Sequence, residues 1–161
     1  MKRLAISLVI LALLAGFAFW WFSDTQVLKR RTQSLLTTLT LDSGKGKVGR
    51  QMGAYSLNSL LASQVKLDTP TIKEANGSFQ RDELESAYSW LCSQAKETRF
   101  ELKKIRSVTV TGDQATVELT LVGLVVLPQY RPVDGTFDVT YEWQKEKDGW
   151  RLTRASWTQV P

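Results

Sequence analysis

The chain has 161 residues, enough for one domain with a real core and a short extra segment. It holds no histidine and one cysteine, Cys92, which excludes an internal disulfide and a multi-cysteine metal site and removes the commonest general base. The formal charge is +5, Lys2 and Arg3 included, and it lacks the clustered basic stripe that nucleic acid demands. No metal, cofactor or nucleic-acid partner is therefore expected. The charge is uneven: residues 24–73 carry eight Lys/Arg against three Asp/Glu, residues 74–161 eleven against thirteen.

Lys2 and Arg3 precede an uncharged run, residues 4–22, that ends in Trp20, Trp21 and Phe22. At helical rise this run spans about 28 Å, roughly one bilayer core. Tryptophans at its end suit the membrane interface. Two readings compete. A secretory signal peptide needs a small-residue cleavage site, and Gly16-Phe17-Ala18 offers one. Cleavage there leaves Phe19-Trp20-Trp21-Phe22 at an exposed terminus, so an uncleaved signal anchor, residues 1–23, is preferred. Lys2 and Arg3 favour a cytoplasmic N-terminus, Lys29, Arg30 and Arg31 the reverse; long translocated domains override their own charges. The expectation is a single-pass membrane protein with residues 24–161 on the periplasmic or cell-surface side.

Residues 25–41 predict the first helix, with Leu28, Leu35, Leu36 and Leu39 on one stripe. Lys29, Arg30 and Arg31 lie near its start, where the macrodipole disfavours cations. A solvated basic turn accounts for them most simply; anionic lipid headgroups beyond Phe22 are the alternative. With Trp20 and Trp21 they form the candidate membrane-interface set. Residues 42–49 predict a loop. Its Gly44-Lys45 lacks the upstream glycine, the preceding strand and the following Ser/Thr of a phosphate-binding loop.

Residues 50–64 predict a second helix carrying Met52, Tyr55, Leu57, Leu60 and Leu61. Short extended pieces follow at 65–67 and 71–74, around Pro70, and Asn76-Gly77 turns the chain. A third helix runs from about residues 78–80 to Lys96, with the stripe Leu84, Ala87, Tyr88, Leu91, Ala95 and the acidic start Asp82, Glu83, Glu85. Trp90 lies off that stripe, either at the rim between helix and sheet or on a contact surface. Cys92 reads as a small buried residue.

Residues 100–160 read as an antiparallel meander. Turns fall at Thr111-Gly112-Asp113, at Pro128–Pro132 and at Lys147-Asp148-Gly149. Ala115, Val117, Leu119 and Leu121 alternate with Thr116, Glu118 and Thr120. Phe137, Val139, Tyr141 and Trp143 alternate with Thr136, Asp138, Thr140 and Glu142. A period of two with one apolar face means a sheet covered on one side.

The order helix, helix, extended pair, helix, four strands comes with three local cues. These are Gly77-Ser78-Phe79-Gln80-Arg81-Asp82-Glu83-Leu84, Gly112-Asp113-Gln114-Ala115-Thr116-Val117 and Asp148-Gly149-Trp150-Arg151-Leu152. Together they resemble the nuclear transport factor 2-like (SnoaL-like, ketosteroid isomerase-like) superfamily over residues 25–158. The resemblance implies an α+β cone: three helices packed on a curved four-stranded antiparallel sheet, here with an N-terminal transmembrane helix added. It also implies a cavity inside the cone. Enzymes of this fold place Asp, Tyr or His there, whereas the inward strand positions here carry apolar and aromatic residues.

Three functions follow from these residues. The first is a non-enzymatic interaction module at the membrane surface, docking a membrane protein or a second copy through the outer sheet face near Thr140 and Glu142 or through the basic first helix. The second is a binder of a small apolar ligand, with Tyr55, Tyr88, Leu91, Tyr141 and Trp143 lining the cone. The third is a histidine-free cyclase- or isomerase-like enzyme. Glu118, Asp138 and Glu142 share the parity of the threonines, so they read as part of a solvated face, and no residue is assigned a catalytic role.

Overall fold

A computed structural model describes residues 11, 13–14, 16–17, 19–41, 47–69, 75–129 and 131–160. Among the described residues from Asp24 onward, three helices, α1 (Asp24–Leu39), α2 (Lys47–Asn58) and α3 (Arg81–Gln94), accompany six strands. These are β1 (Leu61–Asp68), β2 (Gly77–Gln80), β3 (Glu97–Thr111), β4 (Gln114–Val126), β5 (Val133–Glu146) and β6 (Gly149–Gln159). They form one sheet in the order β2-β1-β6-β5-β4-β3, antiparallel throughout except for the β1–β6 pair.

The four-stranded antiparallel expectation is thus corrected to a six-stranded mixed sheet. The meander itself is as read. Gly112 and Gly149 take φ of +59° and +123° at its two tight turns, where a side chain is strained. What local pattern hid is β1. Its burial does not alternate, and Leu60 and Leu61 prolong the helical spacing of Leu57. Its partner in parallel pairing, β6, lies about ninety residues along the chain, beyond the reach of any period. The second helix therefore ends at Asn58 rather than residue 64, and it starts at Lys47, inside the expected loop. The extended piece expected at 71–74 lies outside the described residues; Gly77–Gln80 is the strand that pairs with β1.

Register shifts in β3 against β4, between Leu102 and Lys104 and again between Ile105 and Ser107, add local twist. The curved sheet wraps the helices. Leu28, Leu35 and Leu36 of α1 pack into one core with Val117, Leu119, Val139, Trp143 and Trp150. Leu39, the last of the predicted stripe, is half-buried.

The C-terminus of α1 shows how its end is stabilised. Its last four carbonyls lack helical partners, yet each is met. Thr40 donates its amide to the Leu36 and Thr37 carbonyls and its hydroxyl to Leu36. The Tyr88 hydroxyl of α3 donates to Thr38, and Thr98 Oγ1 of β3 donates to Leu39 at 2.6 Å. Gly53 of α2 permits this, since a Cβ there would stand 2.9 Å from the Tyr88 hydroxyl. One tyrosine so ties all three helices. Tyr88→Phe is expected to cost about 1–1.5 kcal/mol, the net worth of a buried hydrogen bond, read by urea denaturation.

The start of α1 is fixed differently. Asp24 accepts from Lys145 Nζ at 2.9 and 3.1 Å and from Trp150 Nε1 at 3.0 Å, which ties the helix to the β5–β6 hairpin. The Lys145 and Trp150 hydrogen bonds hold the Asp24 carboxyl below its ordinary pKa of 3.8. A depressed folded pKa means a contribution fully present above that value and lost as pH falls through the folded one. Stability should therefore fall more steeply in wild type than in Asp24→Asn below about pH 4, as followed by urea midpoints across the acid range.

Residues 1–10, 12, 15 and 18 of the expected 1–23 anchor lie outside the described ones. Residues 11, 13, 14, 16, 17 and 19–21 are helical, and a turn at Phe22-Ser23 leads into α1. Among the described residues no helix is long and apolar enough to cross a membrane.

Candidate functional site

The sheet interior receives Tyr141 and Trp143 from β5, two residues apart on one face, with ring centroids 6.4 Å apart at 81°. Both are buried, Trp143 to 1% exposure. Tyr88 is buried and Leu91 half-buried on α3. Burial pushes the Tyr141 hydroxyl far above the ordinary phenol pKa, and burial with neighbouring Cys92 does the same for Tyr88. Both are neutral hydroxyls at physiological pH. Tyr55 does not join them: at 82% exposure it projects from the solvent side of α2. Leu57 and Ala54 mark the buried stripe of that helix, and Tyr55 lies about 100° from Ala54. Ala87 is likewise exposed, and Trp90 at 57% exposure stands off the surface rather than sealing the rim.

Three buried polar atoms have no partner among the described residues, Trp143 Nε1, Thr32 Oγ1 and Arg151 Nε. Carboxylates lie instead on the outer face. Thr140 sits in register between Glu118 of β4 and Ser156 of β6, at the middle of the sheet. Glu142 meets Arg154 at 3.2 Å, and Arg154 also meets Asp68 at 2.6 Å. Asp138 accepts from Arg106 at 2.8 Å and from Thr120 at 2.7 Å; Ser107 donates to Glu118 at 2.9 Å. These pairs are solvent-screened and worth about 0–1 kcal/mol each. The face is a flat polar mosaic, already paired but cheap to rearrange. Among the described residues no group of three metal-ligating side chains is arranged to hold an ion.

The expected membrane-interface residues lie on the first turns of α1 and on the helical segment before it. Leu13, Phe19 and Phe22 are 68%, 85% and 73% exposed. Trp20 and Trp21 are exposed as well, and Phe17 packs against both rings at 6.0 and 5.8 Å. Arg30 folds back onto this cluster. Its guanidinium carbon lies 4.4 Å from the Trp21 ring centroid, and Nη2 donates to the Trp21 carbonyl at 2.8 Å. Lys29 is exposed and Arg31 half-buried.

Arg31 belongs to a junction that sequence reasoning missed. Its Nη1 donates to the Ser59 carbonyl at 3.3 Å, and Arg151 of β6 donates to the same carbonyl and to Asp148. A Cβ on Gly149 would stand 2.6 Å from Arg31 Nη2, so the glycine that makes the hairpin turn also clears room for this guanidinium. The Asp-Gly-Trp-Arg cue marked the turn; no local signal tied it to Arg31, 120 residues earlier. An open groove of about 650 Å³ runs beside it between α1 and α2, lined by Arg30, Arg31, Ser34, Thr37 and Ser59 among others.

Neither a family model nor a curated protein matches this chain. Solved structures do. A nuclear transport factor 2-like superfamily protein from Salmonella enterica superposes with a TM-score of 0.65 at 12% identity, covering 86% of this chain and 92% of that one. A protein from Streptomyces avermitilis, described as a proposed dehydratase of the same family, gives 0.64 at 19% identity, over 86% and 98%. A protein from Novosphingobium aromaticivorans, described as nuclear transport factor 2-like with a cystatin-like fold, gives 0.59 at 14% identity, over 99% and 90%. At such identities the likeness is one of fold: this chain has the nuclear transport factor 2-like α+β cone, whatever chemistry each neighbour performs.

Proposed function

We propose that this chain is a membrane-tethered binding module that acts at the extracytoplasmic membrane surface through its outer sheet face. The observation that carries the proposal is the row of exposed apolar side chains from Leu11 to Phe22 leading directly into α1. A soluble surface rarely leaves so many large apolar groups together. Lipid covers them in this reading, and the tryptophans sit at the interface with headgroups. Binding rather than turnover is supported by where the charges lie. Glu118, Asp138 and Glu142 are on the outer face among threonines and arginines, where a second flat surface can exchange their bonds. A second copy docking there makes an isologous contact centred on Thr140 and Glu142.

One observation favours a second reading, a small apolar ligand in the cone. Trp143 Nε1 is a buried donor without a partner among the described residues, and an interior ligand bearing one acceptor oxygen would satisfy it. Native mass spectrometry of protein extracted from membranes separates the two. A second copy or a protein partner travelling with the chain is the expected result. A stoichiometric small molecule on a monomer defeats the module reading in favour of the ligand.

A further inference from the structure

The groove between α1 and α2 lies outside the cone, and neither reading above uses it. Its walls combine cations and hydroxyls: Arg30 and Arg31 from α1, with Ser34 and Thr37 around them, while the Ser59 hydroxyl already donates to the Ser56 carbonyl at 2.7 Å. Among the described residues no carboxylate lies within ion-pair distance of Arg30 or Arg31. The carboxylate near Arg31, Asp148, is engaged by Arg151. Partial burial disfavours the Arg31 charge most, the nearby Arg151 acts in the same direction, and Asp148 offsets part of both. Two guanidiniums at one groove, a third beside them and a single exposed carboxylate leave an uncompensated positive site with hydroxyl donors at hand.

We infer that this groove binds a phosphate-type oxyanion, held by the Arg30 and Arg31 guanidiniums with hydroxyl donors from the groove wall. Guanidinium suits this ligand because its fork of N–H groups matches two phosphate oxygens at once. The anion would also relieve the repulsion between Arg31 and Arg151, so it binds where charge is already poorly compensated. Two sources share the chemistry, a free phosphate ester and the headgroup of an anionic lipid. The second deepens the tether reading, because Arg30 stacks on Trp21 and so places the groove mouth where the apolar helix ends.

The test uses the full chain in micelles of a zwitterionic detergent, which makes it independent of whether the apolar run spans a bilayer. Glycerol phosphate and dihexanoyl phosphatidylglycerol are each titrated, with binding read by calorimetry and by the guanidinium NMR signals of Arg30 and Arg31. Saturable binding of either, with those signals shifting, is the expected result; which of the two binds identifies the source. Arg31→Gln should weaken it by roughly tenfold or more, the loss of a charge-assisted pair. Because Arg31 also bonds the Ser59 carbonyl, a second variant guards against misfolding. Ser34→Glu puts a carboxylate on the groove wall at an exposed helical position and should abolish binding while leaving the circular dichroism spectrum unchanged. Lys103→Gln, on the far edge strand, should bind as wild type. No saturation by either ligand, or unchanged affinity in both Arg31→Gln and Ser34→Glu, overturns the inference. Loss of membrane attachment in a separate fractionation would sink the tether and leave this site standing.

Discussion

Replacing Trp143 by alanine is expected to remove ~3–5 kcal/mol of stability, the range for truncating a large buried aromatic. The ring is 1% exposed, packs edge-on to Tyr141 and stands in register between Ala115 and Leu152 on the neighbouring strands. Alanine opens a cavity where the sheet wraps α1, and those flanking residues belong to rigid strands that collapse poorly into it. Trp143→Phe should cost less, because it keeps most of the packing and removes an indole N–H that has no partner among the described residues. Glu118→Ala, on the other face, should change stability by well under ~1 kcal/mol. Urea denaturation of the three variants decides the matter. Equal losses in Trp143→Ala and Glu118→Ala would show the two sheet faces to be wrongly assigned.

Leu13→Arg is expected to release the protein from membranes. Leu13 is the midpoint of residues 4–22 and is 68% exposed to its surroundings. In the tethered reading those surroundings are hydrocarbon, where an arginine at the centre of a spanning helix costs about 3 kcal/mol. That is roughly a hundredfold in partition. Tyr55→Arg is the control, an exposed position on the domain itself that should have no effect. Fractionation with an alkaline wash reads both. Full retention of Leu13→Arg in the washed membranes would mean that something other than the apolar run holds the protein there.

The faces of β4 and β5 were legible because alternation is a local signal. Ala115 through Leu121 and Phe137 through Trp143 are each written in one stretch, and their burial follows parity. The C-terminal boundary of α2 was not legible, because Leu57, Leu60 and Leu61 satisfy a helical spacing and a strand start equally. Only the parallel pairing of β1 with β6 decides between them, and that is a tertiary fact. The candidate sites divide the same way. Tyr141 and Trp143 inherit their position from strand parity. Tyr55 was misplaced because the weak stripe of α2 permits more than one phase. The cluster of Arg31, Arg151, Ser59 and Asp148 draws on three separated segments, so nothing short of the assembled fold brings it together.

The central claim, that the outer sheet face docks a partner at the membrane, is tested most directly by photo-crosslinking from Thr140 and Glu142 in intact membranes. Both lie on that face, in register with Glu118 and Thr116 of β4 and with Ser156 and Arg154 of β6. The account predicts a discrete crosslinked species from both positions, either a homodimer or a complex with one membrane protein, and none from Tyr55 on the helical side. Crosslinks to no protein from either position, with tight binding of an apolar ligand by the same preparation, would contradict it.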